Sequence, residues 1–319
     1  MELLYHPIYT QHETGMHPES KKRIEIFSGL PEATLLNGEP FLPLVHRQDY
    51  IDQVKASCEQ GISMDPETIL SKGSYQAAIH AVGATVQASE QGDFALVRPP
   101  GHHAYAAHGS GFCIFNNVAV AAQRLVEQGK KVLIFDFDGH LGDGTSDIFY
   151  KSDQVMYWSL HQYPAFPGNG FVTEIGVGDG KGYTVNLPLP PKSGDDIFLD
   201  AIENSLPIAL QFEPDVVAVS AGFDAHTHDL LLDLKVSSYA YYKIGQLLRE
   251  NFPKVFATLE GGYNVQALRQ GVLSFIAGYN DEEPYTPIDE PTHSGMRVWE
   301  TYEMYLHGSL GQLKPYWQF

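Results

Sequence analysis

The sequence predicts an α/β protein, a mainly parallel sheet with helices on both faces, and three observations carry that reading. Four short apolar runs, at 94–97, 131–135, 216–220 and 255–259, each end abruptly in polar or glycine-rich chemistry and read as buried strands. Stretches of helical periodicity lie between them, which implies crossover connections. Hydrophobic residues make up 43% of the chain and charged residues 18%, ample for a sheet covered on both sides. At 319 residues the chain exceeds the usual domain, but α/β enzymes commonly reach this size as one unit. No linker, internal repeat or low-complexity tract marks a boundary, so one domain over 1–319 is expected.

Taken in order, the first run (Phe94-Ala-Leu-Val97) is followed by Arg98-Pro-Pro-Gly101 and then His102-His103. The prolines end the strand sharply and leave no room for a helix to begin. Adjacent histidines next to Gly101 suit a turn that aims both rings into a cleft. Histidine titrates near neutral pH, so such a pair can divide general-base and general-acid work. Asn116-Asn117, the apolar stripe of 118–128 and Gly129 just beyond it give a capped helix.

The second run leads into Asp136-Phe-Asp138-Gly-His140. Residues two apart in an extended chain share a face, so Asp138 and His140 reach the same point in space. The third run leads into Gly222-Phe-Asp224, a second carboxylate from another strand end. Together they make a three-ligand site, and three protein ligands with an open position is the catalytic arrangement for zinc. Either segment alone reads equally well as a strand ending in a polar turn; the convergence decides between the readings. Ser237 opens a helix reaching Asn251, with Tyr241, Ile244, Leu247 and Leu248 at helical spacing. The fourth run ends in Glu260-Gly-Gly-Tyr263-Asn264, where two glycines permit a tight turn that projects Tyr263 over the same edge. Sites in open parallel sheets form at the carboxyl ends of the strands, where all four motifs fall. Beyond Gly278 the segment 280–319 is Pro-rich (Pro284, Pro287, Pro291), then helical, with Trp299, Tyr302 and Tyr305 spaced to pack on the body.

Thirty-nine acidic against twenty basic residues give a formal charge of -19, which argues against direct binding of nucleic acid. A negative surface favours cationic partners such as lysine-rich peptides or polyamines, and solubility explains it equally well. The presence of only two cysteines, Cys58 and Cys113, argues against a disulfide framework. The first residues lack the basic start and long apolar core of a signal peptide, and no run is long enough to span a membrane. A cytoplasmic protein is expected.

The motifs together resemble the histone deacetylase-like amidohydrolases, the zinc-dependent group that includes acetoin-utilisation proteins and acetylpolyamine hydrolases. The matching segments are Arg98-Pro-Pro-Gly-His-His103, Gly111-Phe-Cys-Ile-Phe-Asn-Asn117, Asp136-Phe-Asp-Gly-His140, Gly142-Asp-Gly-Thr145, Ser220-Ala-Gly-Phe-Asp-Ala-His226 and Glu260-Gly-Gly-Tyr-Asn264. They stand in the family's order between about His6 and Gly278, and His17-Pro18-Glu19 with Arg23 matches its early loop. The resemblance implies the arginase–deacetylase fold, with Asp138, His140 and Asp224 as metal ligands. Zinc suits those donors, with iron(II) or cobalt as alternatives. It further implies His102 and His103 as the proton carriers, the second as general base, with Asp136 and Asp143 behind them and Tyr263 as oxyanion donor. For Asp143 an ordinary turn aspartate is the competing reading.

Weaker assignments rest on the same likeness. Gly111, Phe112 and Phe166 match the acyl-lysine channel, with core packing as the rival reading for both rings. Leu231 falls at its rim, where Leu230-Leu-Leu232 replaces the family's Pro-Leu-Gly. Asp136, Asp138, His140, Ser159 and Leu160 match a monovalent-cation site for potassium or sodium. Arg23 matches an arginine near the acetate-release path, against an exposed surface arginine. Cys113 is read as buried structure, and His226 and His228 as structural or surface. Leu141 and Lys21 depart from the family's polar residue and proline at those places.

The expected activity is removal of acetyl or another short acyl group from lysine side chains of proteins or peptides. Hydrolysis of acetylpolyamines, arginase-type ureohydrolysis and non-catalytic acyl-lysine binding are the rivals. Gly111-Phe-Cys113 sides with the protein branch against the polyamine branch. The paired histidines and Tyr263 count against a ureohydrolase. An oligomer is compatible with the sequence.

Overall fold

The computed structural model describes residues 1–319. Seven strands form one sheet: β1 (Leu3–Leu4), β2 (Phe94–Ala95), β3 (Val132–Asp136), β4 (Val155–Gln162), β5 (Thr184–Leu189), β6 (Val216–Ala221) and β7 (Val255–Leu259). All pairings are parallel, in the order β1-β2-β7-β6-β3-β4-β5. The four runs legible in the sequence are β2, β3, β6 and β7. Their residues are buried throughout, which is why they read as unbroken apolar stretches rather than alternating ones.

Three strands escape that criterion. β1 is too short to register. β4 is fully buried yet mixes Trp158, Ser159, His161 and Gln162 among its residues. β5 carries Asn186 and Pro188, and the proline is tolerated because β5 lies at the sheet edge. Helix Met296–Leu313 packs along this edge, and Ser309 Oγ donates to the Asn186 carbonyl at 2.7 Å. Covering an edge strand in this way removes a template for aggregation.

Helices Ser74–Gln91 and Asn117–Glu127 pack together against the sheet, and Thr85 Oγ1 meets Thr258 Oγ1 of β7 at 2.9 Å. Asp195–Gln211, Ser238–Asn251 and Val265–Asn280 form a second layer over the other face, where Phe94, Phe137, Phe223, Tyr241 and Phe275 make a continuous aromatic cluster. The two helices expected from their caps begin as read. Asn116 accepts from Ala119 N and Ser237 from Tyr239 N. One hydrophobic core joins the sheet to both layers. The tail also packs as expected: Tyr302 is buried, its hydroxyl donates to Asp200 at 2.6 Å, and Trp299 Nε1 donates to Asp196 at 3.1 Å. No helix is long and apolar enough to cross a membrane.

Between β2 and β3 the chain passes over two strand positions that β6 and β7 later fill. This switch point opens a crevice at the carboxyl ends of the central strands. The register levels those ends, with Asp136 paired to Ser159 on one side and to Ser220 on the other.

The early loop is knotted to the end of β2 by buried charge. Glu19 Oε1 receives Arg98 Nε at 2.6 Å and Arg23 Nη1 at 3.2 Å, all three side chains being essentially inaccessible to water. Arg98 also donates to the carbonyls of Tyr9, His12 and Glu19. Burial alone would push Glu19 up, but Arg98, His12 and Arg23 hold it well below the usual carboxylate range. Removing one partner of such a cluster strands uncompensated buried charge. Glu19→Gln is therefore expected to cost about 3–5 kcal/mol in denaturant unfolding at neutral pH. A carboxylate depressed in the folded state contributes stability above its unfolded value, about 4.3, and loses it as pH falls. The gap between wild type and variant should thus narrow below about pH 4; a pH-independent gap would show that Glu19 acts by packing alone.

Candidate metal centre and active site

Asp138, His140 and Asp224 are all buried, and one donor atom from each lies within 4.8 Å of the others. The backbone orients the carboxylates. Asp138 receives Gly261 N on one oxygen at 2.7 Å and His140 N on the other at 2.9 Å. Asp224 Oδ1 receives Gly139 N at 2.7 Å, which turns its second oxygen towards His140 Nδ1, 2.7 Å away. Burial and the Asp138 carboxylate push Asp224 up, a repulsion that a shared cation removes. Two oxygens and an imidazole nitrogen around one buried point, with a cavity on the open side, fit a divalent ion such as zinc.

Glycines make the approach feasible. A Cβ on Gly222 would sit 1.9 Å from Asp138 Oδ2 and 2.5 Å from Asp138 Cβ, so the chain can pass the ligand only as glycine. Gly111, at φ +50°, would place a Cβ 2.6 Å from the His103 ring.

The histidine pair stands beside the ligands, each ring backed by the carboxylate the sequence assigned to it. His102 Nδ1 meets Asp136 Oδ2 at 3.1 Å, and His103 Nδ1 meets Asp143 Oδ1 at 2.6 Å. A carboxylate only accepts, so each Nδ1 donates and leaves Nε2 as the working nitrogen. Burial and the neighbouring His102 lower His103 to about 4, leaving it neutral with a free lone pair at Nε2. Burial opposes charge on His102, but the Asp138 and Asp136 carboxylates outweigh it and raise that imidazole. Asp143 is accordingly no ordinary turn residue. It is nearly buried and also accepts from Tyr105 at 2.8 Å.

A cavity of roughly 220 Å³ opens over this centre, lined by Glu67, His103, Gly111, Phe112, His140, Phe166, Leu231 and Tyr263. Phe112 and Phe166 are wall residues and not core. Phe166 is 46% exposed, with its ring 5.1 Å from His103, and Phe112 meets Tyr263 edge-on at 5.6 Å. Phe112 holds φ +70°, a conformation rare for an aromatic residue and one that turns the ring to the cavity. Leu231 reaches the lining from the altered rim.

Arg23 is not at the surface. It is fully buried, donates to the Gly262 carbonyl at 2.7 Å and to that of Glu260, and lies 5.2 Å from the centre of the Tyr263 ring. Ser159 and Leu160 are buried on β4, next to Asp136. Leu141 fills a core position, and Cys113 is a buried free thiol. His226 binds Asp289 at 3.0 Å, and His228 is exposed; neither approaches the metal cluster.

Sequence reasoning missed four contributors. Glu260 Oε2 accepts from Gly101 N at 2.6 Å and His102 N at 3.1 Å, fixing the histidine loop. Asp229 accepts from Tyr263 N at 2.6 Å, Tyr157 donates to Asp136 at 2.8 Å, and Glu67 borders the cavity. Glu260 stood in a recognised motif, a usable signal. Asp229 and Tyr157 act on partners 34 and 21 positions away, and no spacing points to them or to Glu67.

If the cluster holds a divalent ion such as zinc, Gly222→Ala should weaken its binding about 10- to 100-fold by displacing Asp138. Competition with a chromophoric chelator, alongside an unchanged far-UV spectrum, would register it; unaltered affinity would remove Asp138 from the ligand set.

Known proteins share this arrangement of elements. The histone deacetylase domain model matches residues 17–279. A probable deacetylase of Archaeoglobus fulgidus is 32% identical, covering 89% of this chain and 90% of that protein. Histone deacetylase 10, chloroplastic, of Oryza sativa subsp. japonica is 34% identical over 88% of this chain and 75% of its own length. A crystal structure of an HDA15 HD domain superposes with a TM-score of 0.89 at 29% identity, covering 99% of this chain and 97% of the other. The sheet order and its helical layers are those of the arginase–deacetylase fold, and the chain belongs to the histone deacetylase family.

Proposed function

We propose that this protein is a zinc-dependent amidohydrolase that removes acetyl or other short acyl groups from lysine side-chain amines of proteins or peptides. The observation that carries the reading is the meeting of the Asp138–His140–Asp224 cluster, the His103–Asp143 pair and Tyr263 around one aromatic-walled cavity. A divalent ion held by those three ligands would supply Lewis-acid polarisation of the amide carbonyl and lower the pKa of water at the site to about 7. Iron(II) or cobalt could serve in its place.

The side chains account for the remaining chemistry. His103 Nε2 takes the proton of the attacking water and returns it to the departing amine nitrogen. Asp143 holds that imidazole in the required tautomer, as Asp136 does for His102. The Tyr263 hydroxyl donates to the carbonyl oxygen as negative charge develops, an interaction worth roughly 3–4 kcal/mol in such sites. Phe112 and Phe166 grip the methylene chain of the acylated amine and keep bulk water from the reacting atoms. A potassium or sodium ion, if bound, would be held by Asp136, Asp138, His140, Ser159 and Leu160 and would offset the negative charge there. Two buried free thiols support a reducing compartment such as the cytoplasm.

One observation favours a second substrate, an acylated polyamine or other small acylated amine. Glu67 is exposed at the cavity and offers a carboxylate to a neighbouring ammonium group. Hydrolysis of an acetyl-lysine peptide and of N-acetylputrescine by the zinc-loaded protein separates the two. Tyr263→Phe should lower kcat on the preferred substrate about 10²- to 10³-fold. Chelation should abolish turnover, and added zinc should restore it. Equal rates with and without metal would sink the mechanism, whereas tight binding of both compounds without turnover would make the protein an acyl-lysine binder.

A further inference from the structure

We propose that Tyr105 is a positioning residue for the reaction, fixing Asp143 and through it the imidazole of His103. The inference rests on the functional reading above for its catalytic part and on geometry alone for the rest. The two oxygens of Asp143 have separate partners: His103 Nδ1 lies 2.6 Å from Oδ1, and the Tyr105 hydroxyl lies 2.8 Å from Oδ2. With both oxygens engaged, the carboxylate cannot rotate, and His103 can hold its hydrogen bond only with Nε2 turned to the cavity.

The surroundings hold Tyr105 in that pose from several sides. Its amide donates to the His108 carbonyl at 2.9 Å, closing a tight turn. Its own carbonyl meets His46 Nδ1 at 3.1 Å. His46 Nε2 accepts from Asn116 N at 2.9 Å, so the tautomer that donates to Tyr105 is fixed by the cap of the following helix. Arg47 N donates to the next carbonyl, that of Ala106, at 2.9 Å. The tyrosine ring stacks on His108 with centroids 4.4 Å apart and planes 13° from parallel. Burial and the Asp143 carboxylate push the Tyr105 hydroxyl above its ordinary value, so it stays a donor throughout the working pH range.

The hydroxyl also faces what Asp143 has to be shielded from. A polar cavity of roughly 220 Å³ lies behind the pair, lined by Tyr105 and Asp143 and bearing the carboxylates of Asp147 and Glu174. Without Tyr105, the second oxygen of Asp143 would face two further carboxylates across water. Its hydrogen bond to His103 would then compete with hydration and repulsion, and the imidazole would lose its single orientation.

Tyr105→Phe keeps the ring and its stack on His108 and removes only the donor. Two readouts are required. On the preferred acylated amine, kcat should fall about tenfold with KM little changed. In proton NMR of the protein with and without zinc, the downfield His103 Nδ1–H resonance, assigned with His103→Asn, should move upfield and broaden as its hydrogen bond to Asp143 competes with hydration and the imidazole loses its single orientation. His108→Ala, which removes the stack and leaves the hydroxyl, should give a smaller change in both. An unmoved resonance overturns the proposal, whatever happens to kcat, because a structural role alone would leave that signal in place. A moved resonance with unchanged kcat overturns the catalytic half. If wild type hydrolyses no acylated amine, the proposed function fails, while the resonance still decides whether Tyr105 orients the pair.

Discussion

Five buried carboxylates, those of Asp136, Asp138, Asp143, Asp224 and Glu260, crowd the carboxyl end of one sheet, and the architecture of the site follows from accommodating them there. Isolated, each would be costly to bury. Here every one accepts hydrogen bonds from backbone N–H groups, imidazoles or hydroxyls whose positions the strands dictate. Parallel strands are well suited to this, because their ends lie level and the loops leaving them point backbone amides into one crevice. What remains after the internal partners are counted is a negative point between Asp138 and Asp224, the place for a cation.

A second cluster of opposite character supports the first. Arg23 and Arg98 enclose Glu19, and both guanidiniums spend their remaining donors on carbonyls of the early loop and of the loop that carries Tyr263. The early loop, the histidine-bearing turn and the tyrosine-bearing turn are thereby one mechanical unit. This connection explains why an arginine far from the metal ligands in sequence is fully buried under Tyr263. It also ties stability to the site, since a buried ion cluster of this kind loses several kcal/mol when one member is removed.

The Asp138–His140–Asp224 cluster and the histidine pair were legible because metal and proton-transfer chemistry calls for particular residue types at particular spacings. Asp138 and His140 share a face by strand periodicity, and His102-His103 follow a strand that prolines terminate. The central strands were legible because they are buried on both faces. β4 and β5 were not, since the polar side chains they bury find partners only within the fold: Ser159 with His161, His161 with the Gly170 carbonyl, and the Asn186 amide nitrogen with the Glu174 carbonyl, while Asn186 Oδ1 has none. Arg23 and Phe112 show the same limit from the other side. A charged residue defaults to the surface and an aromatic one to the core, and only the packing around each reverses those defaults.

The sequence alone determined the parallel α/β class, the four motif-bearing strand ends and the residue types available to hold a metal and move a proton. Periodicity, turn chemistry and ligand preference are local properties, readable along the chain. The tertiary structure decided which groups meet across it. It set Glu260 beneath the histidine turn, Tyr105 behind Asp143, Arg23 under Tyr263, and Phe112 and Phe166 on the cavity wall. Arg23, for one, bonds to Gly262, 239 positions away. Such pairings depend on sheet order and register, which no single stretch of sequence encodes.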